Sequence, residues 1–225
     1  MLEAKNVTIS ISGKRLIEDV SFSFPTVGTS LVLGANGTGK STLFRCLAGL
    51  QRYDGQISWN GGQPEGRVFV AFEDSPLHKN LTGYQNLSAS LDMRMRDVTT
   101  NSSNSKIFAS DELLRKKARK LSFGQRKRVS LTVAFMTSAP CLILDEPAVG
   151  LDYISLKRLS GAIAEAAKSR SVIATGHQLD FFEALPDRVF LVKDRRMIDV
   201  TADWNTEHSG GLDHFYAKHL SFGQD

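Results

Sequence analysis

No apolar run in the sequence approaches the roughly eighteen residues that a membrane span requires, so work at a membrane would need a partner to hold the chain there. The opening MLEAKNVTIS lacks a basic region followed by an apolar stretch, and no secretory leader is expected. Cysteine is scarce: Cys46 and Cys141 both lie in apolar segments, which favours buried free thiols in a reducing cytosol over a disulfide. Extended heptads are missing too, and with them a long coiled coil. No aromatic residue precedes Phe22. The charge excess is small, +4, and concentrated in LLRKKARK and GQRKR, where a solvated helix face is a commoner explanation than a nucleic-acid surface. What is present suffices for a globular protein, since 41% of the 225 residues are hydrophobic.

Short runs rich in Val, Ile, Leu and Phe recur between helical stretches: SLVLG from Ser30, RVFVAF from Arg67, CLILDEP from Cys141, SVIATGH from Ser171 and RVFLVKD from Arg188. Buried parallel strands separated by helices give this pattern, and the fold class is α/β with a mostly parallel sheet. NVTISIS and DVSFSF alternate apolar with polar residues, as in an N-terminal antiparallel β subdomain. Strand signals stop between Asp74 and Pro140. One domain over residues 1–225 is expected, with a core (1–73 and 140–200), an inserted α-helical subdomain (74–139) and a C-terminal tail (201–225). The polar TTNSSNS, Thr99 to Ser105, reads as a mobile loop inside the insertion.

GANGTGKST fits G-x-x-x-x-G-K-[ST] between an apolar strand and a helix, the setting this phosphate-binding pattern needs; a plain Gly-rich turn is the bland alternative. Gly34, Ala35, Asn36, Gly37, Thr38 and Gly39 would turn backbone N–H groups onto phosphate oxygens at a helix N-terminus, with Thr42 closing the motif. Lys40 would reach the outer phosphates, and the Ser41 hydroxyl would ligate Mg²⁺. CLILDEP ends a buried strand in two carboxylates, which is costly unless cations or hydrogen bonds meet the charge; a surface turn stopped by Pro147 is the alternative. Asp145 would hold Mg²⁺ through water, and Glu146 would act as base toward an attacking water.

Ser122 to Gln125, in LSFGQ, has the S-x-x-Q form of a capping box before a stretch with helical apolar spacing, so a second helix N-terminus offers a second anion site. With GANGTGKST, LSFGQ, LILDEP, the GLD of Gly150 to Asp152 and ATGH ending at His177 in that order, the sequence resembles the ATP-binding subunit of an ABC transporter from about Leu2 to Val200. The resemblance implies a P-loop NTPase core and ATP held head-to-tail between two copies or a pseudo-symmetric pair of nucleotide-binding domains. Residues Gly34 to Thr42, Asp145, Glu146 and His177 would come from one domain, and Ser122, Gly124 and Gln125 from the other. His177 would contact the γ-phosphate and Asp152 would connect the sites. A transmembrane permease is the implied partner, with the subunit peripheral on the cytoplasmic face. The alternative is a soluble ATPase clamp on nucleic acid or ribosomes, favoured only by the basic run Arg115 to Lys120. A binding-only switch is opposed by Glu146.

Three departures from the family pattern stand out. Glu73 occupies the place of a glutamine that touches Mg²⁺, so altered metal or pH dependence is expected. The adenine-stacking aromatic is missing, its place falling near Ile11, which predicts similar affinity for ATP and GTP. Phe123 replaces the first glycine of LSGGQ and needs room at the dimer interface. A second LSFGQ, at Leu220 to Gln224, has no helix after it and is read as coincidence or the edge of a hinged tail; restraint of the partner's site by this tail is the sharper possibility.

Overall fold

The computed structural model describes residues 1–74, 77–93, 97, 107–207 and 210–221. The TTNSSNS stretch and the last four residues lie outside these.

Two sheets form the frame. The smaller is antiparallel in the order β2-β1-β4, from β1 (Leu2–Ile11), β2 (Lys14–Phe24) and β4 (Asp54–Trp59). The larger has six strands in the order β5-β6-β7-β3-β8-β9. Here β5 (Val68–Ala71), β6 (Cys141–Leu144), β7 (Ser171–Ala174), β3 (Gly28–Leu33) and β8 (Arg188–Lys193) are parallel, and β9 (Arg196–Asp199) is an antiparallel edge.

The near-continuous apolar runs follow from burial on both faces. Leu31, Leu33, Leu142, Leu144, Val172, Ala174 and Leu191 enter one core cluster, while the alternate residues Val32, Cys141, Ile143, Ile173, Phe190 and Val192 enter another. The second cluster lies between the two sheets and includes Leu43, Phe44 and Leu47 of α1 (Lys40–Leu47). Cys46 and Cys141 belong to it as free, fully buried thiols. Burial pushes the first up to about 11 and the second to about 12.

A third cluster belongs to the insertion. It joins Tyr84 and Leu87 of α2 (Gly83–Leu91) with Leu113 and Leu114 of α3 (Asp111–Arg115) and with Val129 and Val133 of α4 (Phe123–Met136). Leu131 and Ala134, on the other face of α4, pack into the main core, so α4 is buried from two sides. The helices α5 (Tyr153–Ala167) and α6 (Leu179–Phe182) complete the core layer.

The segment set apart as a tail is not a free appendage. It forms α7 (Thr201–Glu207) and α8 (Gly211–Ser221), with Trp204, Leu212 and Phe215 buried in the main core. Gly211, at φ +79°, makes the turn into α8, and the spacing Leu212–Phe215–Tyr216 puts an apolar stripe against the core. Among the described residues no helix is long and apolar enough to cross a membrane.

Candidate nucleotide site

Parallel strands end together, and at their C-terminal edge the loops converge. Ala71, Leu144, Ala174 and Leu31 are register neighbours across β5, β6, β7 and β3. Glu73, Asp145, His177 and the Gly34 loop follow within a few residues of these positions, so topology alone gathers four chemically distinct groups.

The Gly34–Lys40 loop leads from β3 into α1. Three of its glycines have positive φ: Gly34 (156°), Gly37 (78°) and Gly39 (100°). At Gly39, the N-cap of α1, a Cβ would come within 3.1 Å of Leu16 Cβ, and no side chain caps the helix. The first N–H groups of α1 are therefore left for a ligand. Lys40 is buried, and its ammonium donates to its own loop, to Gly34 O at 2.6 Å and Ala35 O at 3.0 Å. Burial pushes the Lys40 amine down, opposed by Glu146 and Asp145. Thr38 Oγ1 also turns inward, to Ala35 O at 2.9 Å, whereas Ala35, Asn36 and Gly37 are exposed.

Asp145 is 4% exposed, and its main-chain N–H is tied to Ala71 O. Burial raises its carboxyl, while a hydrogen bond from Ser41 and the charges of Lys127 and Lys40 work the other way and Glu73 adds to the rise. Glu146 stands at φ +48° in the left-handed region, a strained position for a residue with a side chain. Burial raises it as well, opposed by His177 and Lys40. His177 Nε2 lies 3.4 Å from Glu146 Oε1 and 2.6 Å from Asn36 Oδ1, so the imidazole bridges base candidate and loop.

The first LSFGQ does start a helix. Ser122 Oγ accepts from Gln125 N at 3.3 Å, and Gln125 Oε1 accepts from Ser122 N at 3.0 Å, a complete capping box. Its neighbours are not the phosphate loop of the same chain but Gly150: a Cβ on Gly124 would come 2.5 Å from Gly150 O, and the Phe123 ring lies over Gly150. Asp152 caps α5 through Ser155 N at 2.7 Å, and that hydrogen bond holds its carboxyl below the usual range.

Two groups escaped notice in the sequence. Lys127 sits in a basic run yet is 3% exposed, with Nζ 3.4 Å from Glu73 O and 3.5 Å from Asp145 O. Tyr216 of α8 reaches the loop: burial raises its phenol, a hydrogen bond with the Gly34 backbone lowers it, and Glu146 raises it further.

Ser41, Asp145 and Glu73 supply only oxygen donors, beside an uncapped helix N-terminus. That set suits Mg²⁺, which takes one or two carboxylates and completes its shell with water and phosphate. Among the described residues no group of three or more His, Cys, Asp or Glu forms an all-protein metal cage.

Known proteins resemble this chain in sequence and in fold. The family profile described as ABC transporter matches residues 17–149. The cytochrome c biogenesis ATP-binding export protein CcmA of Gluconobacter oxydans is 32% identical over 187 residues, spanning 79% of this chain and 81% of that protein. A solved ATP-binding subunit of an ABC transporter superposes with a TM-score of 0.85 at 22% identity, over 97% of this chain and 98% of that one. A dimeric ATP-binding cassette in a post-hydrolysis state, bound to ADP and phosphate, gives 0.78 at 18% identity, over 89% and 99%.

Proposed function

The chain belongs to the ABC transporter family as an ATP-binding ATPase, and from that premise we propose that it closes as a dimer on ATP to drive a separate transmembrane permease. It would sit at the cytoplasmic face through that permease, paired with a second copy or with a homologous domain.

The observation that carries this reading is the convergence of Lys40, Asp145, Glu146 and His177 at the ends of three adjacent strands, beside a helix whose N-terminus has no cap. The triphosphate would take the uncapped N–H groups, and the Lys40 ammonium would exchange its two loop carbonyls for phosphate oxygens. Ser41, Asp145 and Glu73 would hold Mg²⁺, which when bound offsets the charge that develops on the transferring phosphoryl group. Glu146 would accept a proton from the attacking water. Its burial makes it a stronger base than a solvated carboxylate. His177 would hold that water and the γ-phosphate while keeping Glu146 ionised through the 3.4 Å contact. From the second domain, the N-terminus of α4 with Ser122, Gly124 and Gln125 would close the other side of the nucleotide. Asp152, fixed as a helix cap beside the Gly150 turn that Gly124 touches, would link the two sites.

The nucleic-acid clamp loses ground because part of its basic run is already paired: Arg115 with Asp111 and Lys116 with Glu112, both at 2.7 Å. The test is sedimentation of Glu146→Gln with and without ATP. A shift to twice the monomer mass on adding ATP is expected. A strict monomer at high concentration, also with its membrane partner present, would overturn the reading. Co-purification with an integral protein from detergent extracts, against retention on nucleic acid, separates permease partner from clamp.

A further inference from the structure

Lys127 is the one buried lysine outside the phosphate loop among the described residues. It lies five residues after Ser122 on α4, on the stripe that continues through Leu131 and Ala134 into the main core. Its ammonium does not reach solvent. It points between the ends of β5 and β6 and donates to the main-chain oxygens of Glu73 and Asp145. The charges around it, in order of influence, are Glu73, Asp145, Glu146 and Asp74.

An unpaired ammonium so deeply buried would be costly, as would the buried Asp145 carboxylate with no cation near it. Each explains the other. Lys40 is the second cation in the corner, but it faces the loop and is the group that must turn to the substrate. Glu73 brings a negative charge that an amide at the same place would not, next to a site meant for a triphosphate. Lys127 meets Glu73 and Asp145 at their main-chain oxygens, whereas Lys40 meets Gly34 and Ala35.

We propose that Lys127 is a positioning residue for this site: it fixes the chain at Glu73 and Asp145 through their main-chain oxygens, and its charge offsets Glu73 so that the corner accepts both a divalent cation and an anionic nucleotide. The inference rests on the ATP-site reading above. It adds that Glu73 and Lys127 work as one unit, and that the helix opened by Ser122 is pinned to its own chain's metal corner.

The test is a double-mutant cycle with two binding readouts on the full chain: Mn²⁺ titration of nucleotide-free protein followed by electron paramagnetic resonance, and fluorescent ATP analogue binding without metal. Lys127→Gln leaves Glu73 uncompensated, so Mn²⁺ affinity should rise and metal-free nucleotide affinity should fall, each by about five- to tenfold. Glu73→Gln should move both the opposite way. Glu73→Gln/Lys127→Gln should return both to within about twofold of the parent. A merely space-filling lysine would not give opposite signs for cation and anion. The proposal is overturned if Lys127→Gln moves both affinities in the same direction or neither, or if Glu73→Gln/Lys127→Gln leaves either affinity well beyond twofold of the parent. Should Lys127→Gln fail to fold, the double variant decides: recovery of the fold supports the pairing, and continued failure refutes it. If no variant binds the nucleotide while Mn²⁺ still responds as stated, the ATP reading fails and the pairing survives.

Discussion

Two helices in this chain present their N-termini in opposite ways. At α1 the cap position is Gly39, held at φ +100° without any side-chain acceptor, and the nearest cation, Lys40, is folded onto its own loop. At α4 the cap position is Ser122, locked with Gln125 in a reciprocal pair of hydrogen bonds. The first end is unfinished and, in the proposed function, would take its missing acceptors from a ligand. The second is finished and rigid, a surface that can be pressed against something already bound. Glycine is used at both, for different reasons. Gly39 supplies a backbone angle, whereas Gly124 supplies closeness, since any Cβ there would meet Gly150 O.

The sharpest way to break this contrast is to remove the cation of the unfinished end. Lys40→Met should lower nucleotide affinity and turnover by roughly a hundredfold or more. It should leave the fold intact, because a buried ammonium disappears. Calorimetric titration with ATP and thermal melting check the two halves of that statement. Ser122→Ala should act on the finished end alone. A stability loss of about 1 kcal/mol is expected from the lost cap, together with loss of the ATP-induced dimer of Glu146→Gln in sedimentation.

Acidity tests the charged lining of the α1 end. Asp145 and Glu146 are raised by burial, so the folded apo protein binds more protons than the unfolded chain just above the ordinary carboxylate range. Its stability should therefore fall as pH rises from about 4 through their raised values. Lys40 and Lys127 are lowered, so at alkaline pH, below their ordinary value of 10.5, the unfolded chain holds the extra protons and stability should recover. Denaturant midpoints across pH for the parent and for Asp145→Asn, in which the acid-side fall should shrink, measure this. The smallest effect concerns the base. Ile11, exposed at the end of β1, offers no stacking ring, and Ile11→Tyr should raise preference for ATP over GTP by several-fold in competition binding, consistent with about 1 kcal/mol from stacking.

Much of the architecture is local in origin and was legible for that reason. The loop glycines, the strand runs and the capping box are each set by residues close together in sequence. The misses are tertiary. Lys127 reads as one more surface charge in GQRKR, and only its i, i+4, i+7 spacing with Leu131 and Ala134 hints that it faces inward. The same holds for α8, where Leu212, Phe215 and Tyr216 carry a helical stripe that the preceding Gly-Gly pair obscures. The short strands β4 and β9 went unseen as well, since Gly55 breaks the pattern of one and four residues are too few for the other. The contact of Phe123 with Gly150 needs two loops brought together by folding, and no spacing rule contains it.

Both thiols of the chain are sealed in the interior and held protonated well above neutral pH. The parent sequence therefore offers almost no background to maleimide chemistry. A single cysteine placed at Tyr153, a residue that is 79% exposed, would carry a dye or spin label without prior removal of native residues. Distances between labels on the two subunits of the proposed dimer could then be followed in real time through a turnover cycle.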